Sequence, residues 1–267
     1  MKRDGHIHTP YCPHGSKDSL RMYIERAIEL NFSTITFTEH APLPNGFIDP
    51  VPDKDSAMLR TQLEDYINDI QSYQQQYKSN ILIHVGLEID YIEGYEEQTR
   101  EFLTTYGPYL NDSILSVHFL KKANNYYCID FSEDEFARIA EIYGSVDNVH
   151  SQYYSTVKSS IKADLGIYKP KRLGHITLVN KFQKKFASTE SFESTILSLL
   201  DDIKAEGYEL DYNGAGISKP LCKQSYPAPW VVKEAIKRNI PLVYGSDAHA
   251  AQGVGQHYEA LVNALIK

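Results

Sequence analysis

Two rhythms of apolar and polar residues take turns along the chain. Short β-rich runs occur at GHIHT (5–9), STITFTEH (33–40), ILIHVGLEID (81–90) and SILSVHFL (113–120). Further ones follow at RLGHITL (172–178), YELDYN (208–213) and PLVYGSD (241–247); each has the length and composition of a strand. Between them lie stretches with helical spacing. In 17–30 the apolar residues Leu20, Ile24, Ala27 and Ile28 share one face, and 56–77, a segment near 95–105, 133–143, 147–165 and 190–206 read the same way. PAPWVVKEAIKRN opens on prolines, as helix starts do, and 254–266 closes the chain as a helix. Four prolines in APLPNGFIDPVP (41–52) exclude helix there. A polar turn predicts an added hairpin within 121–131. About seven strands alternating with helices predict a parallel α/β architecture. The even spacing favours a closed or nearly closed β/α barrel over an open doubly wound sheet, built as one domain over 1–267.

Composition narrows the setting. No stretch approaches the roughly 20 apolar residues of a membrane span, and the start of the chain lacks the apolar run of a signal peptide. Cys12, Cys128 and Cys222 form no closely spaced pair, so neither a disulfide framework nor a CxxC metal site is expected. A cytoplasmic location is the default expectation. The net charge of -8 argues against a general nucleic-acid binder, which needs a basic footprint. It leaves room for a phosphate site, because two or three divalent ions would locally offset about four to six of those charges.

The ten histidines change the picture most. His6 and His8 flank one residue on the first strand and leave the same face. His40 ends the second strand, Glu88 lies near the end of the third, His118 near the end of the fourth, and His175 on RLGHITL. Asp247 ends the last strand, with His249 two residues on. In a β/α barrel the C-terminal strand ends gather at one mouth, so these residues converge, and His14 reaches the same mouth from the loop after strand one. Taken singly, an HxH pair or an acid at a strand end has an ordinary structural explanation; their coincidence points to metal. His84 is expected to pack, and His150 and His257 to be solvated or structural.

Imidazoles with a few carboxylates and no thiolate suit zinc, iron or manganese. Eight or nine donors exceed what one tetrahedral ion uses, so at least two ions with a bridging carboxylate are expected. Paired ions about 3.5–4 Å apart are a common device for hydrolysing phosphate esters. No Ser-His-Asp order, GxSxG or P-loop offers a competing chemistry.

DGHIHTPYCPHG, TEHAP, GLEID, SVHF, GHITL and GSDAH, in this order over roughly 4–250, resemble the PHP (polymerase and histidinol phosphatase) superfamily. The YCPHG and TEHAP segments are similar to its monofunctional histidinol-phosphatase branch. The resemblance implies a distorted seven-stranded β/α barrel with three divalent transition-metal ions. His6, His8, Glu88 and Asp247 would bind one ion, and Glu88 would bridge to a second completed by His118 and His175. His14, His40 and His249 would hold the third. It further implies hydrolysis of L-histidinol phosphate by a metal-bridging hydroxide, with Glu88, Asp247 and His249 at the chemistry. Lys181 and Lys219, with Arg172 as a weaker option, are candidates for the phosphate, and Asn213 either contacts the substrate amine or starts a turn. Asp4 either orients an imidazole or is a plain strand-start acid. Two alternatives remain open from sequence: another PHP phosphoesterase (a nuclease-like domain, a phosphotyrosine phosphatase or a sugar-phosphate phosphatase), or a non-catalytic metal-binding module. Oligomeric state is not encoded in any visible stripe.

Overall fold

Seven parallel strands pair in the order β1-β2-β3-β4-β7-β8-β9 in the computed structural model, which describes residues 2–266. They are β1 (Arg3–Ile7), β2 (Thr34–His40), β3 (Leu82–Asp90), β4 (Ile114–Ser116), β7 (Arg172–Leu173), β8 (Glu209–Asn213) and β9 (Leu242–Gly245). The antiparallel hairpin β5 (Phe119–Lys122) and β6 (Asn125–Cys128) stands apart from them. Helices α1 (Leu20–Glu29), α2 (Leu63–Tyr77), α3 (Glu96–Tyr106), α4 (Glu133–Tyr143) and α5 (Val146–Lys162) cover the first strands. Helices α6 (Glu193–Ala205), α7 (Ala215–Ser218), α8 (Pro229–Lys237) and α9 (Tyr258–Ile266) follow. The sheet nearly closes. Past the end of β9, Asp247 donates its N–H to the His6 carbonyl at 2.7 Å, and His8 donates to the Ala248 carbonyl at 3.0 Å. The fold is thus a nearly closed seven-stranded parallel barrel with helices between strands, as the alternation predicts.

Strand β2 is buried at all seven positions, the pattern of a parallel strand covered on both faces. Helix α1 buries Leu20, Tyr23, Ile24 and Ala27 against it, close to the predicted stripe. The α4–α5 junction is punctuated locally. Ser132 and Ser145 cap the two helices by accepting the Glu135 and Asn148 N–H groups, and Gly144 ends α4 at φ 90°.

Four expectations shift. The run at 172–178 is a strand for two residues only. A Cβ at Gly174 would lie 2.0 Å from Ser116 Oγ, and His175 then takes φ 20°, which turns the chain off the ladder and into the mouth. The run at 113–120 splits, because the chain leaves the barrel after Ser116 and enters the hairpin. The expected helix at 56–77 begins at Leu63 after a short 3-10 turn, and the last helix begins at Tyr258.

The barrel floor is polar. The Arg172 guanidinium, 1% exposed, donates to the Gly5 carbonyl at 2.8 Å and to Asp112 Oδ2 at 2.9 Å. Arg3 and Thr36 donate to the same carboxylate oxygen. Besides the main core, Ile92, Phe119 and Cys128 form a small apolar cluster with Leu43, Phe47, Tyr95 and Tyr126. Phe47, from the proline-rich loop, lies 5.0 Å from Tyr126 and 5.2 Å from Phe119 between ring centroids. Loop and hairpin therefore pack as one unit.

Candidate metal centre

Glu88 sits at the centre of the mouth, and its two oxygens face different sets of imidazoles. Oε1 is 2.8 Å from His175 Nε2 and 3.8 Å from His118 Nε2. Oε2 is 3.4 Å from His6 Nε2, 3.6 Å from His8 Nε2 and 3.2 Å from His40 Nδ1. Asp247 Oδ1 lies 3.1 Å from His8 Nε2 and 3.7 Å from His6 Nε2. At the rim, His14 Nε2 approaches His249 Nε2 to 3.2 Å. All nine residues expected from sequence as donors meet at one end of the barrel. Close approach requires glycine at the end of β9, since a Cβ on Gly245 would stand 2.6 Å from His6 Cβ and 2.3 Å from Asp211 Oδ1.

Three sets of donors have atoms within 4.8 Å of one another: His6, His8 and Asp247; Glu88, His118 and His175; and His8, Cys12, His40 and His249. The buried Cys12 thiol was not expected in this company. Orphaned atoms test whether metal fits. His6 Nε2, His8 Nε2 and His40 Nδ1 are buried without a hydrogen-bond partner, and buried polar atoms are seldom left so. Unpartnered imidazole nitrogens facing shared carboxylates are the donor set of divalent transition metals. The residues present fit such ions.

Proton affinities reflect the same crowding. Burial alone would push Glu88 up, but His6, His118 and His175 hold its carboxyl well below the usual range. Burial pulls His8 down, yet Asp247 and Glu39 outweigh it and raise the ring to about 9. His118 rises to about 10 for the same reason, against burial, through Asp90 and Glu88. His249 goes the other way, lowered to about 3 by burial and the neighbouring His8.

Behind the donors stands a row of carboxylates that sequence reasoning missed. Asp211 Oδ2 is 2.8 Å from His6 Nδ1, Glu39 Oε1 is 3.1 Å from His8 Nδ1, and Asp90 Oδ1 is 2.7 Å from His118 Nδ1. Each fixes the tautomer of its histidine and turns the other nitrogen to the centre. The signal was present, since Glu39 adjoins His40 and Asp90 shares a strand face with Glu88. Asp4 does not orient an imidazole. It accepts the Ser246, Gly255 and His6 backbone N–H groups and is raised to about 6 by burial, which these bonds partly offset.

Seven of the nine donors, His14, His40, Glu88, His118, His175, Asp247 and His249, floor one side of a cavity of about 720 Å³. Lys181 and Lys219 both line it. Lys181 Nζ is 3.0 Å from Asp130 Oδ2, whereas Lys219 is exposed on the rim. Two expectations need correction. Arg172 is fixed in the barrel floor by Asp112 and Gly5, at the opposite end from the mouth, so it does not reach a substrate. Asn213 does not line the cavity either, and of its two readings the turn holds: its Oδ1 accepts from the Ala215 N–H, while its Nδ2 donates to Asp211 Oδ2 and Asp247 Oδ2, both at 3.1 Å. It holds Asp247 in place. His84 lies near Asp112 and Arg172, and His150 stacks on Phe192. His257 bonds Ser218 Oγ at 2.7 Å.

Residues 4–215 match the PHP domain family, and 231–265 match a PHP-associated family. The chain is 50% identical to a histidinol-phosphatase of Bacillus subtilis (strain 168) over 98% of both chains. A solved structure from Listeria monocytogenes, assigned as a histidinol phosphatase, superposes with a TM-score of 0.93 at 40% identity, over 97% of this chain and 99% of that one. Histidinol phosphate phosphatase of Lactococcus lactis, solved with zinc, L-histidinol and phosphate, shares the fold at a TM-score of 0.73 and 18% identity, over 98% and 93% of the two chains.

Proposed function

The chain belongs to the PHP domain family, and from that premise we propose that it hydrolyses L-histidinol phosphate to L-histidinol and inorganic phosphate. The observation that carries the substrate is half-identity along essentially the whole length of the Bacillus subtilis histidinol-phosphatase. The cavity of about 720 Å³ has the size of a small-molecule site.

Three ions are held in this reading. His6, His8, Glu88 and Asp247 take one; Glu88, with His118 and His175, takes the second; His14, His40 and His249 take the third. Bound divalent ions supply Lewis-acid charge for the phosphoryl oxygens and lower the pKa of a coordinated water. Zinc, iron and manganese all suit the donors.

The protein's own groups do the rest. Asp211, Glu39 and Asp90 keep the imidazoles aimed. Lys181 and Lys219 meet the phosphoryl oxygens as point charges, with less geometric selectivity than an arginine fork. His249 belongs to the donor set with His8, Cys12 and His40, and its Nε2 faces His14 Nε2 at 3.2 Å. That supports its role as a donor to metal over one as the acid for the leaving alkoxide.

The test is phosphate release by the metal-loaded protein. Histidinol phosphate should exceed p-nitrophenyl phosphate and short DNA by orders of magnitude in kcat/KM, and the protein should carry two to three equivalents of transition metal. Comparable rates on all three substrates would reduce the reading to a general phosphatase, and one equivalent or none would defeat the cluster.

A further inference from the structure

The substrate named above carries, besides its phosphate, an ammonium group two carbons from the ester oxygen. The metal donors and lysines account for the phosphate and leave that cation without a partner. Outside the donor sets, three carboxylates line the cavity: Asp55, Asp90 and Asp130. Asp90 is taken by His118 Nδ1 at 2.7 Å. Asp130 is taken by Lys181 at 3.0 Å and by the Cys128 thiol at 3.3 Å. Among the described residues no hydrogen bond or ion pair engages the carboxylate of Asp55. This half-buried side chain belongs to the loop that follows β2.

Its position is not left to a free loop. The Asp55 carbonyl accepts from His14 Nδ1 at 2.8 Å, while His14 Nε2 faces His249. One residue thus fixes a donor of the rim with its backbone and offers a free negative charge beside it. Next door, Asp49 ties the loop by accepting the Val51 and Ser56 N–H groups at 3.0 and 3.1 Å. Packing of Phe47 against the hairpin anchors the other end.

Resting on the substrate reading above, we infer that Asp55 is the specificity residue for the substrate's ammonium group. The site therefore selects phosphate monoesters of amino alcohols over amine-free esters. A charge-assisted hydrogen bond of this kind is worth about 10- to 100-fold in affinity.

The test compares histidinol phosphate with its deamino analogue, which keeps the imidazole and the primary phosphate ester. In metal-loaded wild type the ratio of the two kcat/KM values should be large. In Asp55→Asn and Asp55→Ala it should fall about 10- to 100-fold, with metal content retained, because both variants keep the carbonyl that holds His14. A ratio unchanged in both variants overturns the assignment. So does a ratio lost in Asp130→Asn but kept in Asp55→Asn. If wild type does not distinguish the two esters yet still prefers histidinol phosphate to p-nitrophenyl phosphate, the ammonium subsite is overturned while the substrate reading stands; if that preference is absent as well, the substrate reading itself has failed.

Discussion

Replacing Asp211 by asparagine isolates what a carboxylate behind a donor contributes. Asp211 and His6 are both fully buried, with Oδ2 and Nδ1 2.8 Å apart. Asparagine keeps the shape and can still accept the Nδ1–H, but the charge is gone. Its amide nitrogen takes the place of an oxygen that has no hydrogen-bond partner, which costs about 1–3 kcal/mol of stability if no acceptor is found. For a bound divalent ion, loss of such a partner weakens affinity about 10- to 100-fold, or about 1.4–2.7 kcal/mol. The carboxylate also favours a proton on His6, but an ion of charge two gains more from it than a proton does. The assay is competition for zinc between the protein and a chromophoric chelator, with bound metal counted by elemental analysis. D211N should give up one equivalent at a free-zinc level where wild type stays loaded, and excess zinc should restore its activity. Superimposable competition curves would refute the reasoning, since Asp211 would then be only a packing partner of His6.

Other outcomes follow from the same structure. His14→Ala should lower metal content and kcat without changing the circular dichroism of the metal-free protein, because His14 is exposed; full activity would remove it from the site. With His8 raised to about 9 and His118 to about 10, both are protonated at neutral pH before metal binds. Uptake should therefore release protons and weaken as pH falls, and calorimetry in buffers of different ionisation enthalpy should detect the release. His150 is 4% exposed, and burial lowers its pKa from 6.5 to about 4. Its neutral ring contributes stability fully above pH 6.5, and that contribution is lost as pH falls towards 4, by at most about 3 kcal/mol. His150→Phe should flatten this slope; parallel stability curves for variant and wild type over that window would contradict it.

Sequence made the barrel and its donors legible for one physical reason. Parallel strands deliver their C-terminal residues to a common rim, so His6, His8, His40, Glu88, His118, His175 and Asp247 could be placed from strand boundaries alone. What sequence concealed is which partner each polar group takes. Asp211 and Asp4 are both buried strand acids, yet one faces an imidazole and the other three backbone N–H groups. Arg172 sits three residues before His175, close enough to suggest the same site. Arg172 nevertheless opens β7, paired with the first residue of β4, so it stands at the N-terminal end of the ladder and meets Asp112 there. The brevity of β7 was hidden because GHITL has strand composition, and the close approach of Ser116 that only a glycine at 174 allows exists only in three dimensions.

The loop–hairpin unit has a consequence for how such a protein can change. Phe47, Phe119 and Tyr126 hold each other in a small apolar cluster of their own, outside the barrel ladder. Val51, Asp55 and Asp130, which flank that cluster in sequence, form part of the cavity wall. Apart from the Asp55 carbonyl that holds His14, the chemistry and the recognition surface are thus separable inheritances. Insertions or deletions in the hairpin and the proline-rich loop can reshape what enters the cavity without moving a strand by one residue. A one-residue slip in the barrel, by contrast, would turn a whole strand's side chains to the other face of the sheet. Divergence of substrate is expected to accumulate in the appendage, and constancy in the staves.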